Sequence, residues 1–271
     1  MKICLNTVTM GQNHRLEEII DAMGRWGYAG IEIEAGRLGS ALGRASVEQV
    51  RRWLADQGIA VASLMAWGFR VDGDLSGVLD DIRRHGELAR ALGAPTLLVF
   101  AGQGGPSDPA QKPDFLRRAG EAAHAYAEAA GEGVTISLEP IGGSNWLGTP
   151  EDALAIAEAS GHPRVGIMMD FFHYYRSSVP AASVAAIPVD RLFIVHADDC
   201  EDRPVAELND SHRVYPGEGI LPLRSRLNLL RQIGYRGHLS IELFNRAYWE
   251  APLDEVVERC YRGLAGLLAF A

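Results

Sequence analysis

The stretch Val165–Tyr175, VGIMMDFFHYY, decides how the chain is read. Five apolar or small residues lead directly into Asp170, two phenylalanines follow, and His173 stands three positions beyond the carboxylate. A short apolar run of this kind reads as a buried strand. Ending it on a carboxylate costs several kcal/mol unless that group is paired or holds a metal. The strand therefore raises two questions: what sheet buries it, and what Asp170 faces.

The first answer comes from repetition. Runs of similar length start at Ile3 (ICLNTV), Gly30 (GIEIEA), Val61 (VASLMAW), Pro95 (PTLLVFAG), Thr135 (TISLEP), Leu192 (LFIVHAD) and Leu239 (LSIELF). Amphipathic helical periodicities separate them, among them RLEEIIDAMGRWG, LDDIRRHGELARALG and TPEDALAIAEASG, and many close on glycine as helix C-termini do. Thr149-Pro150-Glu151 supplies an N-cap, an N1 proline and a first-turn acid. Strands alternating with helices imply a parallel sheet covered on both faces. Eight such units in 271 residues point to an α/β fold, a single (β/α)8 TIM barrel spanning 1–271 as one catalytic domain. The doubly wound alternative normally carries a glycine-rich phosphate loop after its first strand, and NTVTMGQNHR contains no such motif. The Gly/Pro segment Gly102–Asp114 reads as an active-face loop rather than a domain boundary.

Composition narrows the function classes. Hydrophobic residues make up 47% of the chain, enough for a sizeable core, and the formal net charge is −9. That balance argues against nucleic acid and anionic membranes as partners. Lys2 and Lys112 are the only lysines, so the basic residues are almost all arginine. Three cysteines (Cys4, Cys200, Cys260) lack metal-type spacing and fit a reducing compartment. The N-terminus shows no extended apolar segment of a signal peptide, and no run approaches a membrane span. The expectation is a cytoplasmic protein acting on a small molecule.

In a closed barrel the active site forms where strands end. Strand five ends at Glu139, strand six at Asp170, strand seven at His196 and strand eight at Glu242. Taken singly, each acid is an ordinary solvated cap. Together they bring three carboxylates and one imidazole to one point, where uncompensated charge would force pKa values up. A single divalent cation resolves that conflict, and the donor set suits Mn²⁺, Mg²⁺, Co²⁺ or Zn²⁺. His173 becomes a candidate hydrogen-bond donor to substrate oxygen. Arg213, in the long loop NDSHRVYPGEG, is placed to pair with Asp198 or Asp199 or to polarise a substrate carbonyl. Trp67, Phe69, Trp146, Phe172, Tyr248 and Trp249 follow strands and are candidates to wall a pocket, or to form an oligomer contact.

With these residues in place, the chain resembles the xylose-isomerase-like TIM-barrel superfamily of sugar isomerases and epimerases. The series LEP, DFFH, VHADD and IELF matches that superfamily's ligand order, and the similarity, strongest from Ile136 to Trp249, is closest in type to inosose isomerases. The resemblance implies a mononuclear site of Glu139, Asp170, His196 and Glu242, with His173 and Arg213 touching substrate; Trp67, from the rim aromatics, is a further candidate substrate contact. It implies proton transfer through a metal-held enediolate, with Glu139 and Glu242 as the acid and base pair. It also makes a homo-oligomer an expectation. The chain departs from the pattern at Gly143, where a histidine is expected, and at His212, where an acid is expected. Rival expectations are a dehydratase acting on an inosose or a dehydroshikimate-type substrate, a ketose 3-epimerase, and a DNA-repair endonuclease of the same fold, which the acidic charge disfavours.

Overall fold

The computed structural model describes residues 1–102 and 104–269, apart from the side chains of 66 and 67. Among the described residues, eight parallel strands close into a barrel. They are β1 (Lys2–Asn6), β2 (Gly30–Glu34), β3 (Ala60–Phe69), β4 (Thr96–Ala101), β5 (Thr135–Glu139), β6 (Val165–Asp170), β7 (Leu192–His196) and β8 (His238–Ile241). Closure comes from β1 pairing with β8, Lys2 opposite His238 through Leu5 opposite Ile241. The expected (β/α)8 barrel is therefore the observed fold.

Side-chain alternation divides each strand between two cores. Leu5, Ile31, Val61, Leu97 and Val195 pack outward against the helices. Cys4, Ala62, Met65, Leu98, Met168 and Ile194 form a separate apolar cluster within the barrel. Helices Leu16–Trp26 and Ser76–Leu92 each end where Gly27 and Gly93 adopt a left-handed φ of 76°, which a side chain would oppose. Helix Pro150–Ala159 opens with the expected cap: Thr149 Oγ1 accepts from Asp152 N–H, and Asp152 accepts in return from Thr149 N–H.

Two local features were not legible in the periodicities. Phe171–Arg176, the aromatic run after β6, is a short helix rather than an extended segment. The long loop after β7 carries an antiparallel ribbon that pairs Asp199–Cys200 with Arg213–Val214. At Gly219 this loop passes so close to Cys200 O that an added Cβ would sit 2.1 Å from it, so glycine is required there.

Candidate metal centre at the barrel mouth

Glu139, Asp170 and His196 are the last residues of β5, β6 and β7, and Glu242 immediately follows β8. Each can offer one ligand atom such that all four lie within 4.8 Å of one another. His196 Nδ1 is 3.2 Å from Glu242 Oε2, 3.3 Å from Asp170 Oδ2 and 3.8 Å from Glu139 Oε1. All four side chains are buried, Glu139 opening to only 3%. The Asp170 carboxylate is divided between two tasks. Oδ1 caps the Phe171–Arg176 helix by accepting from His173 N–H at 2.8 Å, while Oδ2 faces the cluster.

That helix answers how His173 reaches the site. One turn brings its imidazole above the cluster, with Nε2 3.9 Å from Glu139 Oε1. Arg213 Nη2 donates to His173 Nε2 at 3.1 Å, so that nitrogen carries a lone pair. Burial pushes the His173 pKa down to about 4, and the imidazole is neutral. Arg213 is itself fully buried. Its Nη1 donates to Asp170 Oδ2 at 2.7 Å and to Asp198, while Nε and Nη2 hold Asp210 Oδ1 at 3.1 and 2.8 Å. The guanidinium also lies over the Phe172 ring, 4.7 Å from its centroid. Of the two aspartates considered as its partner, Asp198 takes the role. Asp199 instead accepts from the backbone N–H groups of Gly217 and Leu221 and ties the loop down.

The electrostatics show what such crowding does. Burial, reinforced by the Glu242 charge, raises the Glu139 pKa well above the carboxylate range. Burial also works against ionised Asp170, but the charge of Arg213, with His196 beside it, overcomes it and holds its pKa well down. Burial likewise opposes charge on His196, yet Glu242 and Glu32 draw its pKa well up. His196 Nδ1 is buried and makes no hydrogen bond. An unpartnered imidazole nitrogen converging with three carboxylates fits a divalent cation.

Above the cluster opens a cavity of about 770 Å³, within the range of small-molecule sites. Val8, Met65, Phe100, Ile141, Phe244 and Trp249 give it an apolar wall, and Glu139, Glu242, His173, Arg213 and Asp210 form its polar part. The aromatics expected at the rim separate. Trp249 lines the cavity, and Phe172 underlies Arg213. Tyr248 stacks on Tyr215 with centroids 4.0 Å apart. Phe69 and Trp146 are not wall residues: both are 1% exposed and pack on each other, Phe69 also on Tyr126 and Trp146 also on Phe115. The Trp67 side chain lies outside the described residues. Of the segment read as a Gly/Pro loop, Pro109–Gln111 and Lys112 onward are helical, and Pro106 is pinned to the loop after β5 by Asn145 Nδ2 donating to its carbonyl oxygen at 2.9 Å.

The two departures from the family pattern have local causes. Gly143 adopts φ 92°, and neighbouring Gly142 abuts the Phe171–Arg176 helix, where a Cβ would lie 2.9 Å from His173 O. His212 Nδ1 accepts from Asn209 N–H and is spent on the turn. The acid facing the cavity is Asp210, two residues earlier. Sequence reasoning also missed Glu32 and Asn6, which lie beneath the ligands. Their sequence signal was present: a carboxylate inside the apolar run GIEIEA and an amide inside ICLNTV.

A closed parallel barrel with three carboxylates and an imidazole gathered at its mouth defines a class, and residues 20–262 match the xylose isomerase-like TIM barrel family; the chain belongs to that family. It is 28% identical over 264 residues to the inosose isomerase of Halalkalibacterium halodurans, covering 95% of this chain and 93% of that one. It is 29% identical over 252 residues to the 3-dehydroshikimate dehydratase of Pseudomonas putida, covering 90% of this chain but only 38% of that larger protein. Among solved structures, the IOLI protein with a binding zinc atom superposes with a TM-score of 0.91, at 24% identity, over 100% of this chain and 99% of that one.

Proposed function

We propose that the protein is a metal-dependent isomerase or epimerase of a keto-inositol or a ketose, of the inosose isomerase type. The observation that carries this reading is the buried His196 Nδ1, without a hydrogen bond, set among Glu139, Asp170 and Glu242, two of which line the cavity at the barrel mouth. Similarity to inosose isomerases along nearly the whole chain supports the substrate class, and the zinc in the IOLI structure supports a divalent cation, with Mn²⁺, Mg²⁺ and Co²⁺ equally compatible with the donors.

Glu139, Asp170, His196 and Glu242 would hold the cation. When bound, it supplies Lewis acidity, which polarises a substrate ketone and acidifies the neighbouring C–H. The chain's own groups then move the proton. Glu139 and Glu242 converge on the same point from β5 and β8, and one removes a proton while the other returns one at the adjacent carbon. Asn6 Nδ2 donates to Glu242 Oε1 at 3.0 Å and fixes the direction of that carboxylate. Arg213, held by Asp170, Asp198 and Asp210, and His173 stabilise charge developing on substrate oxygen. The apolar wall of Met65, Phe100, Phe244 and Trp249 accepts the C–H face of a ring and limits water around the reacting carbon. Three buried, unpaired cysteines agree with a cytoplasmic setting.

The second reading, favoured by the 29% identity to a dehydratase, is the same proton abstraction followed by loss of a β-hydroxyl as water. Metal analysis of the purified protein, with ¹H NMR in D₂O over a panel of keto-inositols and ketoses, tests both. We expect bound metal and solvent deuterium entering one carbon next to the ketone, with the hydroxyl count unchanged. A product lighter by one water establishes the dehydratase. No metal and no deuterium uptake in any substrate sinks the proposal.

A further inference from the structure

We propose that Glu32, on β2, is a positioning residue of the metal centre: it holds the His196 imidazole by a proton on Nε2, so that Nδ1 is the nitrogen presented to a cation among the ligand carboxylates. The inference rests on the metal-site reading above. It extends that reading to a strand that contributes no ligand.

Glu32 is fully buried, and none of the proposed chemistry requires a carboxylate at its position. Its cost is offset only if every lone pair is engaged. Two donors and one imidazole nitrogen engage it. Asn6 Nδ2 and Ser63 Oγ donate to Oε1 and Oε2 respectively, and His196 Nε2 lies 2.8 Å from Oε1. Because Oε1 already accepts an amide N–H, it is an acceptor on the His196 side too. The proton on that line therefore belongs to the imidazole. With Nε2 keeping its proton, Nδ1, the atom aimed at Asp170 and Glu242, is the nitrogen whose lone pair is left for a cation.

Two details show that the arrangement is built into the strands. Between Ile31 and Glu32 the β2–β3 register shifts, so that Ser63 rather than Ala62 stands opposite Glu32 and can donate to it. Asn6 spends its second Nδ2 hydrogen on Glu242 Oε1, which joins another of the four ligands to the same anchor. A carboxylate behind a ligating imidazole fixes the ring and raises its basicity, and removing it lowers metal affinity about 10–100-fold.

The test uses the whole chain loaded with zinc. In wild type, ¹⁵N NMR of the histidines should show His196 protonated at Nε2 with zinc on Nδ1. In Glu32→Gln, competition with a chromophoric chelator should show zinc affinity weakened at least tenfold, with an unchanged circular dichroism spectrum and a shifted, faster-exchanging His196 Nε2–H signal. Unchanged affinity in a folded Glu32→Gln protein overturns the proposal. If that variant does not fold, the wild-type spectrum still decides, because zinc on Nε2 or a proton on Nδ1 overturns it. Failure of wild type to bind zinc overturns this inference and the metal centre together. Zinc binding without turnover of any keto-inositol or ketose overturns only the functional reading.

Discussion

The two halves of the barrel contribute differently to the site. All four candidate ligands stand at the ends of β5 to β8, and Arg213 and His173 come from segments that follow β7 and β6. From β1 to β4 come Asn6, Glu32 and Ser63 beneath the ligands, and Met65 and Phe100 on the cavity wall. In the proposed function the C-terminal half presents charge to the substrate, and the N-terminal half holds that charge in place. The contrast teaches that a site can be confined to four adjacent strands and still depend on closure of the ring, because β1 and β2 sit directly behind the ligands only once β1 pairs with β8.

If the contrast is right, the largest effects belong to the C-terminal half. Glu242→Gln keeps the shape and one oxygen but removes a proton-transferring carboxylate. We expect turnover to fall about 10²–10⁴-fold while the circular dichroism spectrum and melting midpoint hold. Wild-type activity in that variant would remove Glu242 from the mechanism. Arg213→Lys comes next. A lysine cannot span Asp170, Asp198, Asp210 and His173 together, so activity should fall about 100-fold with one metal still bound per chain. Metal analysis separates this from ligand loss: a metal-free Arg213→Lys protein would show that Arg213 organises the ligands rather than the substrate.

The same contrast explains what could be read from sequence. Strand ends are legible because an apolar run that stops on Glu139, Asp170 or His196 breaks its own pattern, and a barrel sends all such breaks to one face. Glu32 lies inside its run, and its role appears only when β2 is seen facing His196, 164 residues away. Phe171–Arg176 was hidden because two phenylalanines and two tyrosines extend the apolar run, and the helix is set by the Asp170 cap rather than by periodicity. Asp210 was passed over for His212 because the turn after Asn209, not the spacing, decides which side chain faces the cavity. Phe69 and Trp146 looked like rim residues because position after a strand does not say whether the following loop folds back over the side chain, as the loop after β5 does.

A smaller effect is expected at the opposite end of the barrel, where β8 begins. His238 packs against Gly30 with its Nε2 unpartnered, and burial, then the charge of Lys2, pushes its pKa from 6.5 down to about 4, against the pull of Glu32. Between these values the unfolded chain binds a proton at His238 that the folded chain refuses, so the contribution of His238 to stability falls as pH drops from about 6.5 towards 4. His173, also held down to about 4, adds to the same window. His238→Gln should therefore flatten, not abolish, the decline of the urea midpoint over that range. An unaltered pH profile would show that His238 is not held neutral by the fold.

The smallest effect should come from Ser63→Ala, and it probes the division between the halves most finely. The change removes one donor to Glu32 and leaves Asn6 and His196 in place. Leaving a buried carboxylate oxygen without a partner costs about 1–3 kcal/mol of stability, read as a lower urea midpoint. Metal affinity should weaken only a few-fold, because Ser63 acts on the centre through Glu32 and then His196, and each link retains other contacts. A loss of zinc affinity as large as that of a ligand variant would break the comparison. It would mean that the N-terminal half is part of the metal centre itself, with the Ser63–Glu32–His196 line as stiff as a metal–ligand bond. No change in affinity, with the stability loss intact, would confine Ser63 to the packing of the barrel interior and leave the N-terminal half's leverage on the ligands to Glu32 and Asn6.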